Sequence, residues 1–210
     1  CDLGGNLFFT MMGFYLLIYL TDVVGLAAGL AGTALMIGKV WDAVTDPAVG
    51  YLSDRTRSKL GRRRPYMLYG SFVLFVAMIV MFTDPGISGG PWLFVWAAVA
   101  YCFLNTALTL VNIPYAALLP ELTRDFDQRT VLTGYRMTFA VIGTFIGAGL
   151  VLPIAGAFGS ERLGWSMMGG ITGAIMLVTA LLTVIAIREP VHAEPPERVN
   201  LFKTYGEALR

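Results

Sequence analysis

Charge is scarce in this chain: Asp, Glu, Lys and Arg make up 14% of its 210 residues, while hydrophobic residues make up 56%. A water-soluble domain carries about a quarter of its residues as charges, so this composition excludes one and points to a membrane protein. Histidine and cysteine are nearly absent, with 1 His (His192) and 2 Cys (Cys1 and Cys102). That leaves no His/Cys/Glu cluster on which to build a membrane enzyme, and no disulfide framework. Cys102 sits in an apolar run and reads as a small buried hydrophobe; His192 sits in a polar tail and reads as a surface residue. The net charge of +1 gives no basic or acidic excess that would suggest a nucleic-acid partner. No basic segment precedes the first apolar run, so that run reads as a membrane span rather than a signal peptide. The start at Cys1, without methionine, suggests a truncated N-terminus.

What is present is a succession of apolar stretches, each long enough for a bilayer core that needs about 20 residues. They predict an all-α membrane protein with six spans over residues 4–21, 26–52, 66–82, 92–119, 131–153 and 164–187. Residues 1–188 form the bundle in this reading, and residues 189–210 form a cytoplasmic linker and the start of an amphipathic helix. That helix stops in mid-pattern, so the chain reads as a fragment. The second and fourth spans exceed the minimum and contain Pro47 and Pro114, which predict kinks because a mid-helix proline removes one backbone hydrogen bond. Of the 15 basic residues, twelve lie in the loop between spans two and three, the loop between four and five, and the tail; Arg162 alone lies in a loop on the other side. The positive-inside rule then predicts a multi-pass cell-membrane protein with both termini cytoplasmic.

The few charges within the spans are the next signal. Lys39, Asp42 and Asp46 interrupt an otherwise apolar second span. At 100° per residue they fall within about 60° of one another, so one helix face carries a cation and two carboxylates. Charge at membrane depth costs about 2.5–3.5 kcal/mol per residue on insertion scales and marks function by default. Two carboxylates at i, i+4 repel unless a cation, a shared proton, Lys39 or Arg136 stands between them. One reading is a site that exchanges a proton or small cation; the other is a permanent Lys39–Asp ion pair. Thr109, Asn105 and Asn112 on span four either add neutral oxygens or make interhelical hydrogen bonds. Arg136 on span five either binds substrate through its planar fork, neutralises one of the aspartates, or reaches for the interface. Asn6, Tyr101 and Tyr115 are weaker substrate-site candidates.

The loop Gly50-x-x-x-Asp54-Arg55-x-Arg57-x-x-x-Gly61-Arg62-Arg63-Arg64-Pro65 is the most specific motif. Positive-inside anchoring accounts for its arginines but not for the Gly/Asp spacing, which suits close helix approach and a carboxylate at a helix end. Gly50, Asp54, Arg55, Gly61 and Arg62 therefore form a candidate conformational-gating loop.

This loop resembles the signature between the second and third spans of the major facilitator superfamily. The longer string Trp41-Asp42-Ala43-x-x-Asp46-Pro47-x-x-Gly50, with Asn112-Ile113-Pro114-Tyr115 and Tyr135-Arg136, is similar to the glycoside–pentoside–hexuronide:cation symporters, the melibiose-carrier branch. The resemblance covers the whole chain and implies the N-terminal six-helix bundle of a twelve-span transporter. It implies a secondary symporter of a glycoside or related sugar, coupled to sodium or a proton, with no cofactor and no enzymatic activity. It places the coupling cation on Asp42 and Asp46 (as a metal site, if the ion is sodium), with Thr45 and Thr109 beside it. It places the solute near Asn6, Lys39, Tyr101, Asn112, Tyr115 and Arg136. The implied partners are a small-molecule solute, the lipid bilayer and a second six-helix bundle. Asn6 and Asn112 stand where sugar-binding members carry acidic residues, and a lipid or other non-sugar solute on the same fold is the alternative.

Overall fold

The computed structural model describes residues 1–58, 60–87, 90–123 and 125–187, with the side chains of 119–121 outside that description. The expected linker and amphipathic helix at 189–210 lie outside the described residues. The described chain is helical: α1 (Asp2–Phe14), α2 (Leu16–Ile18), a π-helical turn (Tyr19–Val23), α3 (Ala28–Arg55), α4 (Arg64–Phe82), α5 (Gly90–Leu122), α6 (Phe126–Gly156) and α7 (Glu161–Ala186). Four of these helices are long and apolar enough to cross a membrane, and α1 with the segment Leu16–Val23 forms a fifth, bent candidate. α3 runs 28 residues, long enough to cross, yet is not among them. The charges that single it out in the sequence are what lower its apolarity.

Neither proline interrupts its helix. α3 continues as one helix through Pro47, and α5 runs unbroken through the position of Pro114. The sharp bend, 48°, falls instead in the first span between Phe14 and Leu16, where the chain has no proline. Beyond it the helix widens into the π-turn Tyr19–Val23, a common source of kinks. The bend is held from outside the helix: the Tyr15 hydroxyl donates to the Ala148 carbonyl at 2.6 Å. Tyr19 then packs against Phe82 and Trp165, with ring centroids 5.2 Å and 5.3 Å away, and closes that end of the bundle. The first span also begins earlier than residue 4: Asp2 lies inside the first turn of α1.

α1 packs on α6 and α7, α4 on α5 and α7, and α3 on α5. With no hydrophobic drive between helices in lipid, small residues set how closely they approach. At Gly143 a Cβ would sit 2.2 Å from the Leu3 carbonyl oxygen, and at Gly38 it would fall 2.2 Å from the Tyr101 ring. Gly50 is different: a Cβ there meets only Ile113, at an ordinary 3.7 Å, so the expected close approach at this motif glycine is not made. Gly61 is required for its backbone, at φ +104°, in the turn leading to α4. Cys102 is half-buried rather than fully enclosed.

Gly143→Ala should lower the thermal unfolding midpoint in detergent, since overpacking of this kind costs about 1–3 kcal/mol. Gly149→Ala, on the same helix with nothing within 4 Å of the new methyl, should be neutral or stabilising by about 0.5–1 kcal/mol. Equal midpoints for the two variants would contradict the α1–α6 contact described here.

Candidate functional site

α3 and α5 run side by side in the same direction, as their cross-helix pairs advance together. Gly38 faces Tyr101 and Asn105, the Trp41 indole donates to the Thr106 hydroxyl at 2.9 Å, and Gly50 faces Ile113. This register brings the α3 carboxylates onto the polar side chains of α5. The Thr109 hydroxyl donates to Asp46 Oδ1 at 2.8 Å, sharing its proton with the Asn105 carbonyl at 3.0 Å. One turn earlier, Lys39 Nζ lies 3.2 Å from Asp42 Oδ2. The Lys39 side chain is 60% exposed and Asp42 21%, so the lysine sits at the rim and the carboxylate further in. Asp42 Oδ1 is buried with no hydrogen-bond partner, as are both polar atoms of the Asn105 amide. Thr45 spends its hydroxyl proton on its own helix, on the Trp41 carbonyl at 3.2 Å. Its oxygen lone pairs remain the part available to a ligand.

A Lys39–Asp42 ion pair exists, but it engages one carboxylate oxygen and leaves Asp46 to Thr109. Two carboxylates and neutral oxygens within two turns are the donor set that hard cations take.

A second constellation joins α1, α5 and α6. Arg136 holds Asp2 in a fork, with Nε 3.1 and 3.0 Å from Oδ1 and Oδ2 and Nη2 3.0 Å from Oδ1. The guanidinium lies 4.7 Å over the Tyr115 ring, and the Tyr115 hydroxyl donates to Asp2 Oδ2. Side-chain exposures of 27% for Arg136 and 15% for Asp2 leave the pair partly accessible to a polar ligand. Arg136 therefore does not neutralise Asp42 or Asp46; its carboxylate is on the first helix. Asp2 is the residue that sequence reasoning missed. The signal was available, as an acidic residue four positions ahead of Asn6, but the hydropathy boundary fell just after it.

The remaining solute candidates separate. Asn6 turns its amide to the Asp2 carbonyl on its own helix, at 3.0 Å. Asn112 lines a crevice of about 20 Å³ with Cys1, Gly4, Gly5 and Met176, far too small for a sugar. Tyr101 is buried against Gly38 beside Lys39. An apolar groove of about 540 Å³ runs along α4 and α5 between Val80, Trp92, Trp96 and Phe103, and includes none of the candidate residues.

In the candidate gating loop, Arg63 and Arg64 reach neighbouring helices. Arg63 is buried, bonds Asp54 Oδ1 at 3.2 and 2.8 Å and donates to the Ala117 carbonyl near the end of α5. Arg64 donates to the Val184 carbonyl of α7 at 3.0 and 2.6 Å. A guanidinium at a helix C-terminus satisfies orphan carbonyls and complements the helix dipole. Arg55 instead stacks on Tyr51, 4.0 Å from the ring centroid. Arg62 is half-buried in the turn before α4.

A family model described as MFS/sugar transport protein matches residues 1–210. Among curated relatives, an uncharacterized symporter of Synechocystis is 41% identical over 189 residues, covering 86% of this chain and 34% of that protein. The isoprimeverose transporter of Lactiplantibacillus pentosus is 30% identical over 213 residues, covering 100% of this chain and 44% of that protein. A sodium-dependent lysophosphatidylcholine symporter of Xenopus tropicalis is 35% identical over 146 residues, covering 69% and 28%. The chain thus spans less than half the length of these relatives. The chain belongs to the glycoside–pentoside–hexuronide:cation symporter family of the major facilitator superfamily.

Proposed function

We propose that the chain forms the N-terminal six-helix bundle, residues 1–188, of a cation-coupled symporter whose solute is a glycoside or related sugar. The observation that carries this reading is the pairing of two polar constellations on one bundle. Asp42 and Asp46 with Thr109 offer oxygens for sodium or a proton, and Asp2 with Arg136 and Tyr115 offers a charged, aromatic-backed cradle for hydroxyl groups. A bidentate carboxylate and guanidinium match sugar hydroxyls as acceptor and donor, and an aromatic ring suits a sugar's apolar face.

Transport would proceed by alternating access, with this bundle rocking against a second one about a midplane site. A cation on Asp42 and Asp46 would lower the repulsion between them and favour the solute-binding state, and each ligand would raise the other's affinity by the same factor. The Asp54–Arg63–Ala117 clamp ties the ends of α3, α4 and α5 into one body, as rigid-body rocking needs. The similarity to lysophosphatidylcholine symporters supports a second reading, a lipid solute on the same fold.

The coupling reading is tested in the full-length transporter. Asp42→Asn and Asp46→Asn should each abolish concentrative uptake while leaving solute exchange down its gradient. If Asp42 serves only to pair Lys39, then Lys39→Met with Asp42→Asn should restore concentrative uptake; under the coupling reading it restores expression alone. A double mutant that accumulates solute against a gradient ends the assignment of Asp42.

The solute cradle has a different signature. Asp2→Asn and Arg136→Lys should weaken solute binding at least tenfold, with cation binding within about twofold of the parent. Loss of a bidentate charged contact is worth about 1.5–3 kcal/mol. Binding of a panel of glycosides and a lysophospholipid to the parent separates the two solute readings.

Orientation is part of the proposal: the Arg-rich loop at residues 55–64 faces the cytoplasm, and the ion pair between Asp84 and Arg162, 2.8 Å long, faces outward. A cysteine at Ser58 should resist an impermeant thiol reagent in intact cells and react in inverted vesicles. The reverse pattern would overturn the orientation.

A further inference from the structure

We propose that Asn105 supplies a carboxamide oxygen to the coupling cation, and that the ion it serves is a metal cation of sodium's kind. This rests on Asp42 and Asp46 being the coupling carboxylates. Asn105 is 1% exposed, and neither its amide oxygen nor its amide nitrogen meets a hydrogen-bond partner. Buried amides in native proteins are nearly always bonded, and an orphan marks a site with another task. The ordinary role of an asparagine in a span, a hydrogen bond to a neighbouring helix, is not made here.

The position of the orphan says what it could serve. Asn105 lies one turn before Thr109, the residue whose hydroxyl bonds Asp46. Across the helix interface its amide nitrogen comes within 2.9 Å of the space a Gly38 side chain would occupy, and Gly38 lies one turn before Asp42. Asp42 Oδ1 is likewise buried and unpartnered, while its other oxygen is taken by Lys39. Two orphaned groups thus lie about one turn apart along the α3–α5 interface, next to the turn where Thr109 binds Asp46. The absent side chain at Gly38 keeps the approach open, since any Cβ would displace Tyr101 and the amide. Which end of the amide is oxygen is a matter of a 180° turn, so the oxygen can face the carboxylates.

The chemistry separates the two coupling ions. A proton needs one carboxylate oxygen and at most one acceptor for the O–H it forms, a role the second carboxylate or Thr109 can fill without an amide. A hard metal cation needs several oxygens to replace its hydration shell, and carbonyl oxygens are suited to that. A buried carboxamide that forgoes every protein hydrogen bond beside two carboxylates therefore favours the metal ion.

The test is equilibrium binding of radioactive sodium ion to the purified full-length transporter, with choline chloride holding ionic strength constant. The parent should bind sodium saturably. Asn105→Leu, close in size but without the oxygen, should weaken binding at least tenfold, and Asn105→Asp, which keeps an oxygen there, should retain it within a few fold. Asn105→Leu should also unfold at or above the parent's temperature, because it removes an unbonded amide. Sodium affinity in Asn105→Leu equal to the parent's would overturn the proposal. So would loss in both variants with a lowered unfolding temperature, which marks a packing role. A parent that binds no sodium yet shows proton-driven uptake abolished by Asp46→Asn would overturn the Asn105 proposal and keep the coupling carboxylates. Sodium binding that survives in both Asp42→Asn and Asp46→Asn would instead sink the coupling site itself.

Discussion

A charge within an apolar helix must find a partner inside the bundle, because lipid offers none and the effective penalty for an unpaired buried ion is several kcal/mol. The arrangement of the helices answers to that requirement. Asp2 on α1 meets Arg136 on α6, Asp46 on α3 meets Thr109 on α5, and Asp54 beyond the α3 apolar run meets Arg63. The first two links join elements distant in sequence, so satisfying those charges also chooses which helices are neighbours. The glycines at 38 and 143 then bring the backbones near enough for short side chains to reach.

The same requirement explains why the two polar constellations differ in character. Asp2 and Arg136 neutralise one another through a fork of three hydrogen bonds, a geometry that is both strong and directional. Asp42 and Asp46 are only half compensated: one oxygen by a largely exposed lysine, one by a neutral hydroxyl. A fully paired site holds its shape without a ligand, whereas a half-compensated one gains most when a cation arrives. That division suits the proposed symport, in which one ligand would be recognised by geometry and the other by charge.

On the exterior the demands are weaker. α6 carries exposed Phe126, Tyr135, Phe139 and Phe145. Such an apolar surface is content in lipid or against another apolar helix, and helix packing alone does not choose between them.

Much of this was legible from residues in order. An all-helical membrane chain followed from the scarcity of charge, and Asp42, Asp46 and Arg136 stood out by their depth in apolar runs. The Gly61 turn and the basic loop were equally plain, being local chemistry. What the linear pattern left open was which side chains meet. Arg136 had several possible partners, and Asp2 was passed over because the apolar run was counted from residue 4. The prolines drew attention to α3 and α5, whose helices run on unbroken, while a 48° bend falls between Phe14 and Leu16, where no proline marks it. The isolation of the Asn105 amide was invisible for the same reason. Hydropathy and periodicity are properties of one helix at a time and determine that helices form and which face is polar. Partnership depends on the register between helices, here the one that sets Gly38 against Asn105 and Asp46 against Thr109, and that register exists only in the packed bundle.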